Sequence, residues 1–289
     1  MKKNTKLNPK INSLLKNSTI LVTGGAGSVG SVLVKKILEY PVKSIRVLDI
    51  DEHALFRLGR STNDKRLRLL LGDILDKDRI ELAGNDVDII IHTAAIKNIE
   101  ISEFNPIETI ETNINGTVNL IKMAIKNKPK LFLNISTDKA AEPSTLYGTT
   151  KQLGERLTSW AGGHVTTTKF STIRFGNIFE TRGNVFEIWD DEFKQKKPLS
   201  ITDPLMNRYF FHVSEAVDFI LSYLPSLKSG TIVIPKMKEY KMKDLASKIS
   251  KNHKIIGIRF GEKLDEILIT EDEKKKSIEK SNMWIIKQY

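Results

Sequence analysis

Residues 19–30 read TILVTGGAGSVG, a short apolar run followed by a turn rich in glycine. The β-branched residues of the run predict a buried strand, and the apolar periodicity after the turn predicts a helix that ends near Tyr40. Glycines in such a turn let the backbone approach a pyrophosphate, and the helix start supplies N–H donors. The spacing is GxxGxxG rather than GxGxxG, so an ordinary tight turn is the alternative. A dinucleotide site is predicted at Gly24, Gly27, Ser28, Val29 and Gly30.

Strands and helices alternate through the first half of the chain. Further strands are predicted at 44–49, 67–71, 87–92 and 131–135, and a long helix at 107–126. This alternation predicts an α/β protein with a doubly wound parallel Rossmann sheet.

After Phe175 the pattern loosens, which indicates a smaller, partly interleaved C-terminal lobe that binds substrate. The apolar residues 283–286 are expected to dock on the body of the protein. The predicted organisation is a polar N-terminal arm (1–17), a dinucleotide-binding Rossmann domain (18–176) and mainly the substrate lobe (177–289).

The composition limits the classes of function. The 289 residues suffice for one large domain or two unequal ones. The chain has no cysteine, and its histidines lack metal-ligand spacing, so no metal is predicted. A formal charge of +11 fits solvated lysines or attraction of an anionic ligand such as a nucleotide. Since no nucleic-acid motif, membrane-spanning run or signal peptide is found, a soluble cytoplasmic protein is predicted, with no nucleic-acid partner and no membrane insertion.

The strand ends after the glycine-rich turn also carry residues suited to a dinucleotide. Asp49 ends the second strand, where a carboxylate can bond the adenine ribose hydroxyls and repel a 2′-phosphate. NAD is therefore favoured over NADP as the NAD(P) cofactor, although Arg46 on the same strand is a weak argument for NADP. Asp73 could meet the adenine or cap a helix. The other residues predicted to contact the cofactor are Ile74, Ala94, Ala95 and Lys97.

Residues 136–151 read STDKAAEPSTLYGTTK and bring an acid, a phenol and two amines together. Tyr147 and Lys151 are four residues apart, so they share one face of a predicted helix. A cation at Lys151 would lower the pKa of the phenol, and the phenolate could take a proton from a sugar hydroxyl. Asp138 and Lys139 add an acid and a base that alcohol oxidation does not need. The alternatives are a turn-capping aspartate and a solvated lysine.

Together these motifs resemble the extended short-chain dehydrogenase/reductase family. TGGAGSVG, HTAA at 92–95, NINGT at 113–117 and the Tyr147–Lys151 pair follow its pattern in order. Within that family, residues 136–151 resemble the inverting UDP-N-acetylglucosamine 4,6-dehydratases, small soluble enzymes of polysaccharide biosynthesis. The resemblance covers about residues 17–270 and departs from the family at Phe260 and Asp265.

The resemblance implies a lyase that uses bound NAD(P) for transient oxidation at C4. Tyr147, beside Lys151 and the cofactor, would take the C4 hydroxyl proton, while Lys139 takes the C5 proton. Asp138 would protonate the departing C6 hydroxyl before hydride returns to C6. Thr137 and Asn113 complete the predicted catalytic set, Asn113 through a proton relay or only as a helix residue.

The resemblance also implies a UDP-sugar substrate and a homo-oligomer. The predicted substrate residues are Lys97, Asn177, Arg182, Val185, Thr202, Met206, Arg208, Arg259 and Glu262. Two other functions stay open: a UDP-sugar 4-epimerase, which would not need Asp138 and Lys139, and a non-catalytic dinucleotide-sensing protein.

Overall fold

The computed structural model describes residues 7–259 and 261–287. Its strands are β1 (Thr19–Thr23), β2 (Ser44–Asp49), β3 (Leu67–Leu71), β4 (Ile89–His92), β5 (Leu131–Thr137), β6 (Lys169–Phe175), β7 (Asn177–Ile178), β8 (Leu199–Ile201), β9 (Asn207–Phe211), β10 (Thr231–Pro235), β11 (Lys238–Lys241), β12 (His253–Ile255), β13 (Ser277–Glu279) and β14 (Met283–Lys287).

The helices cover both the predicted helical segments and several short connections. They are α1 (Pro9–Leu15), α2 (Ser28–Ile37), α3 (Glu52–Thr62), α4 (Lys77–Gly84), α5 (Ile99–Phe104), α6 (Pro106–Ile110), α7 (Gly116–Asn127), α8 (Leu146–His164), α9 (Val185–Lys194), α10 (Val213–Tyr223), α11 (Met242–Ser247) and α12 (Glu271–Lys275). A π-helical turn at Glu111–Asn115 joins α6 to α7, and 3₁₀ turns lie at Asp138–Ala140 and Leu224–Ser226.

The central sheet has the strand order β3-β2-β1-β4-β5-β6-β10-β14-β13. The strands from β3 to β10 in this order are parallel, and β14 and β13 are added antiparallel. Separate clusters of buried aliphatic side chains cover the two faces. The strand order reverses between β1 and β4, so their carboxyl ends flank the crevice where sheets of this kind bind ligands. The predicted doubly wound α/β sheet is confirmed.

A second set of elements forms a smaller lobe. It contains the three-stranded sheet β11-β9-β7 and the pair β12-β8. With α9 and α11 these strands enclose their own apolar cluster, which includes Trp189, Phe210 and Met242. The chain returns to the central sheet at β10 and again at β14, where Ile285 lies opposite Val233. The division of the chain at residue 176 stays a prediction.

The N-terminal segment is not wholly the polar arm that the sequence predicted for residues 1–17. Asn8 caps α1 with its side chain, and Ile11 and Leu15 of this helix are buried in the core of the Rossmann domain. The prediction of a polar arm is therefore wrong for the residues of α1. Ile11 and Leu15 are one helical turn apart, so both can be buried while the lysines around them stay on the surface. Residues 1–6 lie outside the described residues.

Candidate active site

The glycine-rich turn lies between β1 and α2, at the crevice beside β4. Gly24 has a φ of +66°, and its N–H donates to Leu48 O over 2.8 Å. A Cβ at Gly24 would lie 2.6 Å from backbone atoms of Ala94, and one at Gly30 would lie 2.6 Å from Gly24 O. α2 follows Gly27 without a side-chain cap, which leaves its first N–H groups available to a ligand. The turn therefore has the close packing and free donors that a pyrophosphate needs.

The Gly24→Ala substitution is expected to lower the free energy of unfolding by about 3 kcal/mol, since it adds a clash with Ala94 to the cost of a positive φ. The matched control is Gly257→Ala, where φ is +86° but nothing lies within 4 Å of the new Cβ. That variant should lose only about 1 kcal/mol. Urea unfolding measures both values, and equal losses would contradict the close approach of β1 and β4.

Asp49 braces the glycine-rich turn against the end of β2. Its carboxylate accepts hydrogen bonds from Ala26 N–H (2.9 Å) and Asp51 N–H (3.1 Å). The side chain stays half-buried at the crevice, with acceptor capacity left for a ribose hydroxyl. Arg46, on the same strand, donates to Ala83 O over 2.9 Å at the end of α4. Its guanidinium is therefore already engaged within the protein.

Asp73 and Ile74 lie in the turn between β3 and α4. Asp73 accepts a hydrogen bond from Leu75 N–H over 2.9 Å, and the cap of α4 is Asp76. The alternative role of Asp73 as a helix cap is therefore wrong. The Ile74 side chain is buried against Gly116 at the start of α7. Ile74 can thus face a ligand only through its backbone.

His92, the last residue of β4, is buried between two threonines. Its Nδ1 lies 2.8 Å from Thr23 Oγ1, and its Nε2 lies 3.0 Å from Thr117 Oγ1. Burial lowers the pKa of His92 to about 3, so the ring is neutral near pH 7. It links β1, β4 and α7 two residues before Ala94, which with Ala95 is half-buried at the crevice.

His92 should make the protein acid-sensitive, with a loss of about 2 kcal/mol in the free energy of unfolding between pH 7 and pH 5. In the unfolded chain the imidazole takes up a proton near pH 6.5, whereas in the folded protein it stays neutral until about 3. The contribution is therefore complete above the unfolded pKa and falls as the pH drops. In His92→Gln the loss over this interval should be smaller by that amount. Urea unfolding at both pH values tests this, and identical pH dependence in the two proteins would refute it.

Asp138 and Lys139 follow β5 directly, and their side chains form an ion pair. Lys139 Nζ donates to Asp138 Oδ1 over 3.0 Å, and Thr137 Oγ1 donates to the same oxygen over 3.0 Å. Asp138 is buried, and its Oδ2 has no hydrogen-bond partner in the part of the chain that the structure describes. Burial lowers the pKa of Lys139, while the Asp138 and Glu266 carboxylates raise it, and the net shift is upward. One free acid oxygen therefore lies beside a paired amine.

Tyr147 and Lys151 lie one turn apart at the start of α8. Lys151 Nζ donates to Ile135 O over 2.6 Å, and burial lowers the pKa of Lys151 to about 8. Burial raises the pKa of Tyr147, against the opposing effects of the Lys139 cation and a hydrogen bond with Thr137. The cation that favours the phenolate here is thus Lys139, where the sequence analysis had expected Lys151.

Asn113 lies in the π-helical turn that joins α6 to α7. Its Oδ1 accepts from Ile96 N–H over 2.8 Å, and its Nδ2 donates to Ile96 O (2.9 Å) and Thr150 Oγ1 (3.0 Å). Asn113 therefore fixes the segment after β4 against α8, which carries Tyr147. Its direct contacts fit a positioning role, and a proton relay through Asn113 stays a prediction.

A cavity of about 230 Å³ opens at Lys139. Apolar side chains such as Trp189 and Phe210 form part of its wall, and polar groups converge on it from several elements. An apolar wall with a few placed polar groups is the usual form of a small-molecule site. The predicted substrate residues that line it are Asn177, Val185, Thr202, Met206, Arg208 and Glu262.

The two arginines predicted to bind diphosphate differ in position. Arg208 is buried, and its guanidinium donates to Lys263 O (2.7 Å) and Leu264 O (2.8 Å). Arg208 therefore stabilises the cavity wall, and much of the hydrogen-bonding capacity of its guanidinium is used within the protein. Arg259 pairs with Glu100 over 3.3 Å on the surface and is not among the cavity-lining residues. Phosphate contact stays a prediction for both.

Lys97 and Arg182 form a bridge outside the glycine-rich turn. Lys97 Nζ donates to Arg182 O over 2.9 Å, and Arg182 N–H donates to Ser28 Oγ over 3.0 Å. The Arg182 guanidinium lies 3.6 Å from Asp51. Burial and the nearby Arg182 cation lower the pKa of Lys97. This Lys97–Arg182 bridge lies at the predicted dinucleotide site rather than at the cavity.

Glu266 is a site residue that the sequence analysis missed. It is buried, lines the cavity, and its Oε1 lies 3.8 Å from Lys139 Nζ. Burial raises the pKa of Glu266, and the Lys139 cation only partly opposes that shift. Local sequence gave no sign of the contact, because Glu266 stands far along the chain from Lys139.

The parallel sheet with its crevice between β1 and β4, the glycine-rich turn and the Tyr147–Lys151 helix define an extended short-chain dehydrogenase/reductase. Residues 20–288 match the model of a family described as polysaccharide biosynthesis protein, and the chain belongs to this family. The family model thus spans both the Rossmann sheet and the smaller lobe.

Several named relatives align along most of the chain. One from Methanocaldococcus jannaschii, called an uncharacterized membrane protein, is 40% identical over 96% of this chain and 88% of its own. A UDP-N-acetylglucosamine 4,6-dehydratase (inverting) of Campylobacter jejuni is 38% identical over 94% of this chain and 84% of its own. A UDP-glucose 4-epimerase of Rickettsia bellii is 33% identical over 93% and 83%. The family therefore includes both dehydratases and epimerases of nucleotide sugars.

Solved structures agree with the fold. Pen from Bacillus thuringiensis has a TM-score of 0.91 and 32% identity, covering 95% of this chain and 89% of that one. DesIV, a dTDP-glucose 4,6-dehydratase from Streptomyces venezuelae solved with NAD and TYD bound, has a TM-score of 0.80 and 21% identity, covering 89% and 90%. Within residues 7–259 and 261–287, every helix is too short or too polar to cross a membrane.

Proposed function

We propose that this protein is a UDP-N-acetylglucosamine 4,6-dehydratase that inverts C5. The observation that carries the proposal is the buried Asp138–Lys139 pair, with a free acid oxygen on Asp138 and an amine that faces the cavity. Oxidation of an alcohol alone requires neither group. Elimination of water needs both a base for C5 and an acid for the C6 hydroxyl.

The residues around the crevice fit an NAD(P) cofactor. The turn from Gly24 to Gly30 would hold its pyrophosphate, and Asp49 would accept from the adenine ribose. The occupied guanidinium of Arg46 supports NAD rather than NADP. When bound, the nicotinamide accepts hydride from one carbon of the substrate and returns it to another.

In the proposed mechanism, Tyr147 accepts the proton of the C4 hydroxyl as that carbon is oxidised. The ketone acidifies the C5 proton, which Lys139 accepts. Asp138 donates a proton to the C6 hydroxyl, which leaves as water. C6 would then take back the hydride held by the bound cofactor, and C5 would take a proton from solvent on its opposite face, which turns the C5–C6 double bond into the 6-deoxy product. The cavity residues would hold the UDP part of the substrate, and the +11 charge of the chain favours an anionic ligand.

Lys139 and Asp138 can reach the protonation states for this step without a proton from solvent. Chemistry requires a neutral amine and a protonated acid, whereas the two side chains form an ion pair in the free protein. Moving one proton along the 3.0 Å Nζ–Oδ1 hydrogen bond converts one state into the other. The net charge of the pair stays the same, so substrate binding has only to favour one of two arrangements.

Product analysis tests the proposal. The protein is incubated with UDP-N-acetylglucosamine, and the products are identified by NMR. The expected product is UDP-2-acetamido-2,6-dideoxy-β-L-arabino-hex-4-ulose, which reports loss of the C6 hydroxyl and inversion at C5. UDP-N-acetylgalactosamine without deoxygenation would sink the dehydratase proposal.

A UDP-sugar 4-epimerase is the second candidate, supported by the Rickettsia relative. It would use Tyr147 and Lys151 on the same cofactor site and would leave Asp138 and Lys139 without a chemical role. Cofactor binding without turnover of any UDP-sugar would instead support a dinucleotide-sensing protein. Location in the cytoplasm stays a prediction.

We also propose that a second copy of the chain covers an exposed apolar surface on α5, α6 and α8, which contact one another. The exposed apolar side chains of these helices include Ile101 and Phe104 on α5, Ile107 on α6 and Trp160 on α8. Phe104 is 85% exposed, and Phe104→Glu should raise the dissociation constant of a dimer by about 100-fold. Leu82→Glu, on exposed Leu82 of α4, is the control. Sedimentation measures both variants, and a monomeric wild type would end the proposal.

A further inference from the structure

The amine of Lys139 lies within 4 Å of two buried carboxylates, and only one of them follows from the adjacent sequence. Asp138 Oδ1 is 3.0 Å from Nζ, and Glu266 Oε1 is 3.8 Å from it. Glu266 is 6% exposed, and both Lys139 and Glu266 line the cavity. A buried carboxylate is costly unless an opposite charge lies near it, and here the Lys139 ammonium supplies that charge.

Glu266 reaches Lys139 because its segment is docked on the loop before α8. Ser144 Oγ donates to Gly261 O over 2.7 Å, and Lys263 Nζ donates to Glu142 O. A Cβ at Gly261 would lie 2.6 Å from Thr145 Cγ2, so the two backbones approach closely. The segment 261–266 therefore carries Glu266 to the end of β5.

The same segment also forms part of the cavity wall. Arg208 donates to Lys263 O and Leu264 O, and Glu262 lies 3.8 Å from the Arg208 guanidinium. Both Arg208 and Glu262 line the cavity. A ligand that contacts this wall thus acts on the segment that holds Glu266.

We propose that Glu266 is a positioning residue: it fixes the amine of Lys139 against the cavity and links occupation of the nucleotide site to the Asp138–Lys139 pair. The inference rests on the proposed function, because it assigns Lys139 as the base for C5. Glu266 itself transfers no proton to the substrate. Its carboxylate lies 3.8 Å from Nζ and attracts the ammonium, so the amine can give up its proton to Asp138 without leaving the cavity wall.

Several charged groups surround this amine. Asp138 and Glu266 favour the ammonium form of Lys139, and Arg208 opposes it. The Lys139 cation in turn favours the phenolate form of Tyr147. Lys263 acts on Glu266 from the docked segment. Removing the Glu266 charge alone therefore removes one of the two carboxylates that keep Lys139 protonated, and leaves the others in place.

The test is Glu266→Gln, which keeps the size of the side chain. We expect kcat to fall about tenfold with KM within about twofold, because the amine loses its fixed position. The acid limb of kcat/KM should move down by about one pH unit, because the Asp138–Lys139 pair takes up an additional proton only at lower pH once the Glu266 charge is gone. Glu266→Asp should restore the acid limb and only part of kcat. Glu262→Gln, which changes the same wall but not the Lys139 contact, should raise KM and leave the acid limb in place.

A second measurement separates this inference from the proposed function. The midpoint of the Lys139 titration is followed by ¹³C NMR at Cε, assigned by comparison with Lys139→Met, in the free protein. It should be lower in Glu266→Gln than in the wild type. An unchanged midpoint overturns the inference whether or not the wild type dehydrates the sugar. A shifted midpoint with no deoxygenated product from the wild type supports the contact and removes the proposed function instead.

Discussion

The Asp138→Asn variant is expected to lose dehydration by about 10²–10⁴-fold in kcat, which is the usual contribution of a positioned proton donor. Asparagine keeps the size of the side chain but cannot protonate the C6 hydroxyl. Oxidation at C4 depends on Tyr147 rather than on Asp138, so reduced nicotinamide should accumulate on the enzyme. Absorbance of the reduced cofactor and NMR of the product measure the two steps separately.

The Lys139→Met variant tests the proposed base in the same way. It should block exchange of the C5 proton with D₂O, because the amine proposed to take that proton is gone. Asp190→Asn, which removes an exposed carboxylate paired with Lys194, is the control and should dehydrate like the wild type. Wild-type dehydration by Asp138→Asn, or normal C5 exchange in Lys139→Met, would refute the assignment of these roles to the pair.

The second large effect is on stability. Arg174→Met is expected to lower the free energy of unfolding by about 3–5 kcal/mol, the usual cost of breaking a buried ion pair from one side. Arg174 is 1% exposed, and its guanidinium bonds Glu155 over 2.7 and 2.9 Å and Glu273 over 2.8 Å. It also donates to Leu268 O over 3.0 Å. The substitution leaves the carboxylate of Glu155 buried without its charge partner.

Two further variants show whether the loss comes from the unpaired charge. Lys275→Ala breaks an exposed pair with Asp272 and should leave the unfolding midpoint unchanged. Replacing Glu155 by Met together with Arg174 should recover part of the loss, since no buried charge is then left unpaired at that position. Urea denaturation measures all three, and a midpoint for Arg174→Met equal to that of the wild type would contradict the role of this network.

The parts of the site that follow from sequence are those in which the residues are local to one strand end. The glycine-rich turn, Asp49 and the pair Asp138–Lys139 each lie where a parallel strand ends, and the strand itself is marked by a short apolar run. The Tyr147–Lys151 spacing likewise needs only helical geometry. For such residues the local sequence pattern predicts both the strand or helix and the position of the residue on it.

The remaining features depend on contacts between distant segments. Glu266 faces Lys139 only after the segment 261–266 docks, and the fork of Arg208 is occupied by carbonyls of that segment. The amphipathic spacing in α1 is hidden among lysines, so its burial depends on the surface that receives it. The effect of Lys139, rather than Lys151, on the Tyr147 phenol also depends on side-chain directions that spacing does not determine.

The Lys97–Arg182 bridge has a consequence for metabolic control. It joins the start of α2 and the segment after β4 to the segment before α9 through Ser28, Lys97 and Arg182, at the edge of the predicted dinucleotide site. In the proposed reaction the hydride leaves and returns within a single turnover, so the dinucleotide has no need to exchange. An enzyme built in this way draws no reducing equivalents from the cell, and its flux is insulated from the ratio of oxidised to reduced nicotinamide around it.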